Sequence, residues 1–283
     1  MKSINTDNIL NTAACSGVIR IMQKYGIKAA GIPIESCRLT RAYKLQQAGF
    51  EPRSVCMGII PYYTPACDGD RTVSAYAVSR DYHLFIKEIG EIIIDEAKRL
   101  YPSSGFAVFG DNSPIDERDA AAKAGLGIIG RNGMLITEEY SSYVFLFELI
   151  TDLLPHTPSD EPRYCAHCGH CKAACPYGFE NGCLSAVTQK KGSLTPEEER
   201  MVLKYGSVWG CDICQEVCPH TEKAREAGTI YTPIEFFYDN PIPSPTAETL
   251  ADAEDLKTRA YSWRPVSVIL RNIELMEKNR HND

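Results

Sequence analysis

Apolar positions in the first half of the chain alternate between two periods. Leu10, Ala14, Val18 and Ile21 recur every three or four residues and predict a helix over 7–25, with Asp7 as its N-cap. Ile27 to Ile34 reads as a strand, and Cys37 to Gln47 as a second helix closed by Gly49. Val55 to Ile60 lacks any polar side chain and predicts a buried strand. Pro61 to Arg71 is rich in Pro, Gly and Asp and predicts a loop. Ser79 is expected to cap the clearest helix, in which Tyr82, Phe85, Ile86, Ile89, Ile93, Ala97 and Leu100 form one stripe ending before Pro102. A strand over Phe106–Phe109, a helix from about Asp116 to Gly125, a glycine-rich turn over 125–130 and a strand over Tyr143–Ile150 follow. Helices alternating with short apolar strands across 1–155 predict an α/β fold, or mixed α+β layers.

The second half reads differently. One charged helix is expected from Thr195 to Tyr205, opened by Thr195-Pro-Glu-Glu, with a Pro in the first turn and acids that match the helix dipole. Pro241, Pro243 and Pro245 predict a linker, and a last helix should follow Pro265.

The 283 residues are 44% hydrophobic and carry a net charge of −7, which excludes disordered and fibrous classes. No run approaches the roughly 18 apolar residues that span a bilayer, and the first residues lack a signal peptide's apolar core. No membrane association and a cytoplasmic location are therefore expected. The negative charge argues against broad electrostatic binding of nucleic acid and leaves room for a local basic patch. The unusual number is 12 cysteines, which in a reducing compartment point to metal or redox chemistry rather than disulfides. Cys15, Cys37 and Cys56 read as packing residues, Cys67 lies in a polar loop, and the other eight fall between 165 and 218.

Cys165-x2-Cys168-x2-Cys171-x3-Cys175-Pro176 has the spacing of the bacterial [4Fe–4S] run, in which three cysteines grip one cubane and the fourth serves another. Cys211-x2-Cys214-x3-Cys218-Pro219 is one cysteine short, and Cys183 can complete it. The expected sets are Cys165, Cys168, Cys171 and Cys218 for one cluster, and Cys175, Cys183, Cys211 and Cys214 for the other. Zinc is the competing reading, with His167 and His170 as further ligands; the packed triple spacing and both Cys-Pro pairs favour iron. The histidines are then loop residues that modulate a cluster by hydrogen bonding.

Two clusters carry electrons and need a destination. Some 155 residues precede the motifs, enough for a domain with its own pocket. Asp111, in Gly110-Asp-Asn-Ser-Pro114 after a strand, is placed to enter such a pocket and, if burial raises its pKa, to donate a proton; the alternative is an Asp that caps its own turn. The glycines at 125, 127 and 130 do not follow a strand as a dinucleotide fingerprint would. A reductase with an internal electron path and a non-catalytic, ferredoxin-type electron carrier both fit.

The cysteine runs, Cys183-Leu-Ser, and Gly210-Cys-Asp-Ile-Cys-Gln-Glu-Val-Cys-Pro219 resemble the epoxyqueuosine reductase family. So do Ala75-Tyr76, Arg80-Asp-Tyr-His83, Asp111 with Pro114 and Glu117-Arg118, Ala124 to Asn132, and the strand beginning at Tyr143. The resemblance runs from about residue 10 to 220. It implies a cobalamin-dependent oxidoreductase that removes the epoxide oxygen of epoxyqueuosine in tRNA, with two [4Fe–4S] clusters passing single electrons to cobalt. It further implies Asp111 as the acid, with Tyr76, Asp111, Ser185, Cys211 and Asp212 near the cobalamin. The expected layout is a cobalamin and substrate domain over 1–155, a ferredoxin-like double-cluster domain over 156–225, and a linker with a helix over 226–283. This would be a short form without the family's C-terminal helical-repeat domain. The partners expected are an external low-potential electron donor and tRNA. A small epoxide or halide is the alternative substrate.

Overall fold

The structure, a computed structural model, describes residues 14–155 and 161–280. The first turns of the helix expected over 7–25, with Asp7 and Leu10, lie outside the described residues. So do residues 156–160, at the expected domain boundary. The chain forms two compact units, Met1–Pro61 with Phe85–Ala166, and Tyr62–Leu84 with His167–Asp283.

The first unit is built on a four-stranded sheet of order β1-β2-β6-β3, every pairing antiparallel. Along the chain come α1 (Ala14–Lys24), β1 (Lys28–Pro33), α2 (Tyr43–Gln46), β2 (Ser54–Pro61), α3 (Tyr82–Leu100), β3 (Phe106–Phe109), α4 (Glu117–Lys123), β4 (Ile128–Ile129), β5 (Leu135–Ile136) and β6 (Val144–Thr151). The fold is thus mixed, on the α+β side of the expectation. Every residue of β2 is buried because both faces of the sheet are covered there. Val55, Met57 and Ile59 pack with Ala120, Ala121 and Ala122 of α4. On the other face Gly58 lets Met22 and Ile27, at the end of α1, approach so closely that a Cβ would meet them at 2.8 Å. That end is a Schellman motif: Gly26 (φ +75°) donates to the Gln23 carbonyl and Ile27 to that of Met22. Each such buried aliphatic side chain contributes roughly 1.5–3 kcal/mol. Cys15 and Cys56 are fully buried with their sulfurs 3.1 Å apart.

The second helix is shorter than expected, four residues instead of 37–47. Leu39 bridges to Ile115, and the Thr40 and Arg41 amides donate to the Pro114 carbonyl. Those long-range bonds take the backbone groups that a helix would have used.

The second unit contains α5 (His170–Ala174), α6 (Leu184–Thr188), α7 (Pro196–Tyr205), α8 (Ile213–Glu216), α9 (Pro219–Glu226), α10 (Ala253–Lys257) and α11 (Ser267–Arg280). α7 has the full capping box between Thr195 and Glu198. Leu184, Val187, Leu194 and Val202 form its core. Residues 72–74 belong here, not with the preceding strands. Val73 bridges Trp209, the Ser74 amide donates to the Trp209 carbonyl, and the Thr72 amide donates to that of Pro243. The proline-rich stretch is therefore tied down, since Ile242 also donates to the Val78 carbonyl. The N-terminal cap of α3 is Asp81, whose Oδ1 accepts from the His83 amide; Ser79 instead donates to the Phe237 carbonyl. Among the described residues no helix is long and apolar enough to cross a membrane.

Candidate functional site

The eight motif cysteines sit on short helices and turns whose geometry follows from the spacing. In the first motif His167 (φ +54°) and Gly169 (φ +90°) turn the chain on either side of Cys168, just before α5, which carries Cys171. Cys175 ends α5 in an extended conformation and Pro176 leads away. Cys183 opens α6, and Cys218 opens α9 with Pro219 in its first turn. α5 packs on α8, which carries Cys214, so Cys171 and Cys214 are carried by packed helices in the second unit. Burial pushes the Cys211 thiol up to about 11; Asp212, Cys183 and Cys175 act on it in the same direction. Two of the cysteines assigned to the same cluster as Cys211 thus lie within electrostatic reach of it.

Cys165 belongs to the first unit, where its sulfur accepts from the Arg131 amide at 3.2 Å and its own amide donates to the Ile129 carbonyl. The glycine-rich turn therefore aims a donor at the Cys165 sulfur, which the spacing alone did not mark. No group of three His, Cys, Asp or Glu side chains among the described residues closes on a single ion. A cubane spreads its thiolates over different irons, and the all-thiol donor set suits iron–sulfur binding.

Asp212 is buried and accepts four hydrogen bonds. Oδ1 takes those of Ser74 Oγ (2.5 Å) and Gln215 Nε2 (2.8 Å), and Oδ2 those of the Ala75 amide (2.6 Å) and Arg71 Nη2 (3.1 Å). With all of its lone pairs used, Asp212 positions the 71–75 segment against α8. Arg71 also binds Glu216 (2.5 Å), and Arg225 bridges Glu216 (2.5 Å) and the Tyr63 hydroxyl (3.1 Å). Burial would raise Glu216, but Arg225 and Arg71 hold its carboxyl below the ordinary value. Arg71 and Glu216 sit in loop and helix segments whose sequence gave no hint of the network.

A cavity of about 500 Å³ is lined by Arg71, Ser74, Cys211, Asp212, Glu216 and Arg225. A larger one, about 1370 Å³, is lined by Tyr177, Cys183, Ser185, Lys190, Met201 and Arg264, among others. Tyr76 lines neither; its hydroxyl accepts from Trp209 Nε1 at 2.7 Å. Gly210 (φ +79°) lies against Ser74 and Tyr76 so closely that a Cβ would collide with Ser74. Ser185 Oγ accepts from Gln189 Nε2 and keeps its own O–H. Tyr76, Cys211 and Asp212 therefore cluster around Gly210, and Ser185 faces the other cavity.

Asp111 lies in the first unit just beyond β3, exposed, at φ +60°. That conformation is uncommon outside glycine, and Asp is among the side chains that tolerate it. The Ser113 amide donates to the Asp111 carbonyl, and the Asp111 amide donates to Glu117 Oε1 at 3.0 Å. Asp111 is thus exposed rather than buried in a pocket. Two carboxyls raised by burial stand behind it. Burial pushes Glu117 up to about 7, with Asp111 and Asp116 adding to the rise. Burial and the Glu117 charge push Glu148, on β6 and fully inaccessible, well above the ordinary value. Glu148 pairs with Met57 and Phe109 across the sheet, so it shares their face. Its signal in the sequence was an acid inside an apolar strand.

No family model matches the chain. An epoxyqueuosine reductase of Gloeobacter violaceus is 31% identical over 236 residues, covering 78% of this chain and 73% of that protein. One from Leadbetterella byssophila is 30% identical over 238 residues, covering 80% and 76%. Among solved structures, the epoxyqueuosine reductase from Streptococcus thermophilus superposes with a TM-score of 0.74 at 22% identity, over 94% of this chain and 81% of that one. The Bacillus subtilis structure gives 0.67 at 24% identity, over 92% and 80%. The structures share the fold, and the two curated relatives match over most of their length. The chain belongs to the epoxyqueuosine reductase family of oxidoreductases.

Proposed function

We propose that the chain reduces epoxyqueuosine to queuosine in tRNA in the cytoplasm, with electrons from an external low-potential donor. The observation that carries this reading is the identity with two epoxyqueuosine reductases over more than two thirds of their length. A solved epoxyqueuosine reductase that holds an epoxyqueuosine-modified tRNA stem loop supports tRNA as the substrate carrier. The epoxide takes up two electrons and two protons, and its oxygen leaves as water.

In this reading Cys165, Cys168, Cys171 and Cys218 hold one [4Fe–4S] cluster, and Cys175, Cys183, Cys211 and Cys214 hold the other. Thiolates suit iron and the Cys-Pro turns release the chain from each site. Cobalamin, when bound, supplies a reduced, strongly nucleophilic cobalt, the chemistry that side chains lack. The larger cavity exceeds the roughly 300–1,000 Å³ of ordinary ligand pockets, so its size suits a cofactor of this bulk. Ser185 lines that larger cavity and would face the cofactor, whereas Cys211 lines the smaller one. Tyr76 and Asp212, committed to internal bonds, hold the surrounding backbone. Asp111 holds a proton on its carboxyl and delivers it to the substrate oxygen. The domain layout follows as a substrate-side unit and a cluster-side unit.

The test is reconstitution with iron, sulfide and cobalamin, followed by turnover on epoxyqueuosine-containing tRNA. Asp111→Asn is expected to lose about 10²–10⁴-fold in turnover with cluster absorption and EPR unchanged. Unchanged queuosine in tRNA from a deletion strain lacking other reductases would reject the substrate. Full turnover by Asp111→Asn would remove that residue from the mechanism.

A further inference from the structure

Glu148 is inaccessible to solvent, and its two oxygens are treated unequally. Oε1 accepts from Ser113 Oγ, whereas Oε2 finds no donor. Glu117 reaches it from α4, and among the described residues neither carboxyl forms an ion pair. The nearby charges are otherwise engaged. Lys44 Nζ donates to the Asn112 carbonyl and acts on Glu148 only through space. Arg38 and Arg118 face Asp116, and Lys123 is paired with Asp119. Arg41 donates to the Ser113 carbonyl, and Cys37, also in this region, is a thiol pushed up to about 12 by burial. An ionised carboxylate only accepts, so two such groups in contact without a cation would leave buried charges repelling each other.

We propose that Glu148 carries a proton and donates it to Glu117, and that Glu117, so held, positions the Asp111 turn through the Asp111 amide. The chain Ser113–Glu148–Glu117–Asp111 then links the middle of the sheet to the exposed turn. Glu117 and Glu148 are positioning residues, and their effect on turnover rests on the proposed role of Asp111. At acid pH both carboxyls are protonated; Glu117 gives up its proton near 7, and the proton that Glu148 keeps is then the shared one. At higher pH the pair loses that proton too, the two carboxylates repel, and the turn loses its anchor. The fraction that retains the proton then falls about tenfold per pH unit.

The test combines infrared spectroscopy of the reconstituted enzyme with pH profiles. A protonated carboxyl C=O band should persist above about pH 8, where Glu117 is ionised, and titrate away only at higher pH. In that range it should be missing from Glu148→Gln and retained in Asp111→Asn. Glu148→Gln keeps an N–H donor that does not titrate. Its turnover should lack the alkaline limb of the parent, which beyond its midpoint falls about tenfold per pH unit. If that variant fails to fold, Ser113→Ala serves: loss of the Oε1 donor should move both the band midpoint and the alkaline limb upward, by up to about one pH unit. The proposal is overturned if the band persists in Glu148→Gln, if no such band exists, or if neither variant shifts the limb. Full turnover by Asp111→Asn with the band intact would instead reject the acid role of Asp111 and leave the shared proton standing.

Discussion

Each unit encloses an acidic cluster, and the two neutralise it by opposite means. In the second unit Asp212 and Glu216 are surrounded by Arg71, Arg225, Ser74, Gln215 and a backbone amide. Glu216 is held below its ordinary pKa and stays charged. In the first unit Glu117 and Glu148 have each other, one serine and one amide, and both are raised. A cation stabilises charge across the working pH range. A proton does so only below the pKa of the pair. The second unit therefore has a fixed scaffold, and the unit that carries Asp111 has one whose state depends on pH.

The largest expected effect comes from breaking the fixed scaffold. Asp212→Ala leaves Arg71 half without a partner and strands the donors of Ser74, Ala75 and Gln215. The expected cost is about 3–5 kcal/mol, the usual penalty for removing one member of a buried charged network. Anaerobic urea unfolding of the reconstituted protein measures it. A loss below about 1 kcal/mol would mean that water replaces the carboxylate and that the network contributes little.

The second effect separates the two devices by pH. A carboxyl whose folded pKa exceeds its unfolded value favours folding in the protonated form. The contribution of Glu117 is complete below about 4.5 and is lost as pH rises through about 7. At about 1.4 kcal/mol per pKa unit, that is a decline of about 3 kcal/mol across the window. Glu117→Gln should flatten the decline, because its amide carries no titrating charge. Stability of that variant measured at several pH values checks it, and an unchanged slope would place the titration elsewhere.

How much of this was legible in the sequence depended on how local each signal is. The helix stripe of Ile86, Ile89 and Ile93, the apolar run Val55–Ile60 and the capping box at Thr195 are patterns within one element, and the structure has each of them. The cysteine spacing is likewise local. The shortening of the second helix came from bonds to Pro114 and Ile115, more than seventy residues on, where no pattern within the segment could report it. The same holds for Arg71, whose partners Asp212 and Glu216 lie 141 and 145 residues further along the chain. Asp111 stood out by its turn, yet the burial expected of it belongs to Glu117 and Glu148. An acid in a strand becomes informative only when the strand's inward face is known.

The smallest effect tests whether the scaffold is redundant. Arg225 is partly exposed, and its partner Glu216 is also bound by Arg71. In Arg225→Gln the carboxylate keeps its more buried cation, and the amide can still donate to Glu216 or to the Tyr63 hydroxyl. The expected loss is about 1 kcal/mol or less, shrinking further in salt, since an exposed pair is screened. The urea midpoint at low and high ionic strength measures it. A loss approaching that of Asp212→Ala would make Arg225 the cation on which the network depends, with Arg71 the spare. The contrast between the units would then rest on a solvent-facing guanidinium, and salt as well as pH would govern the second unit.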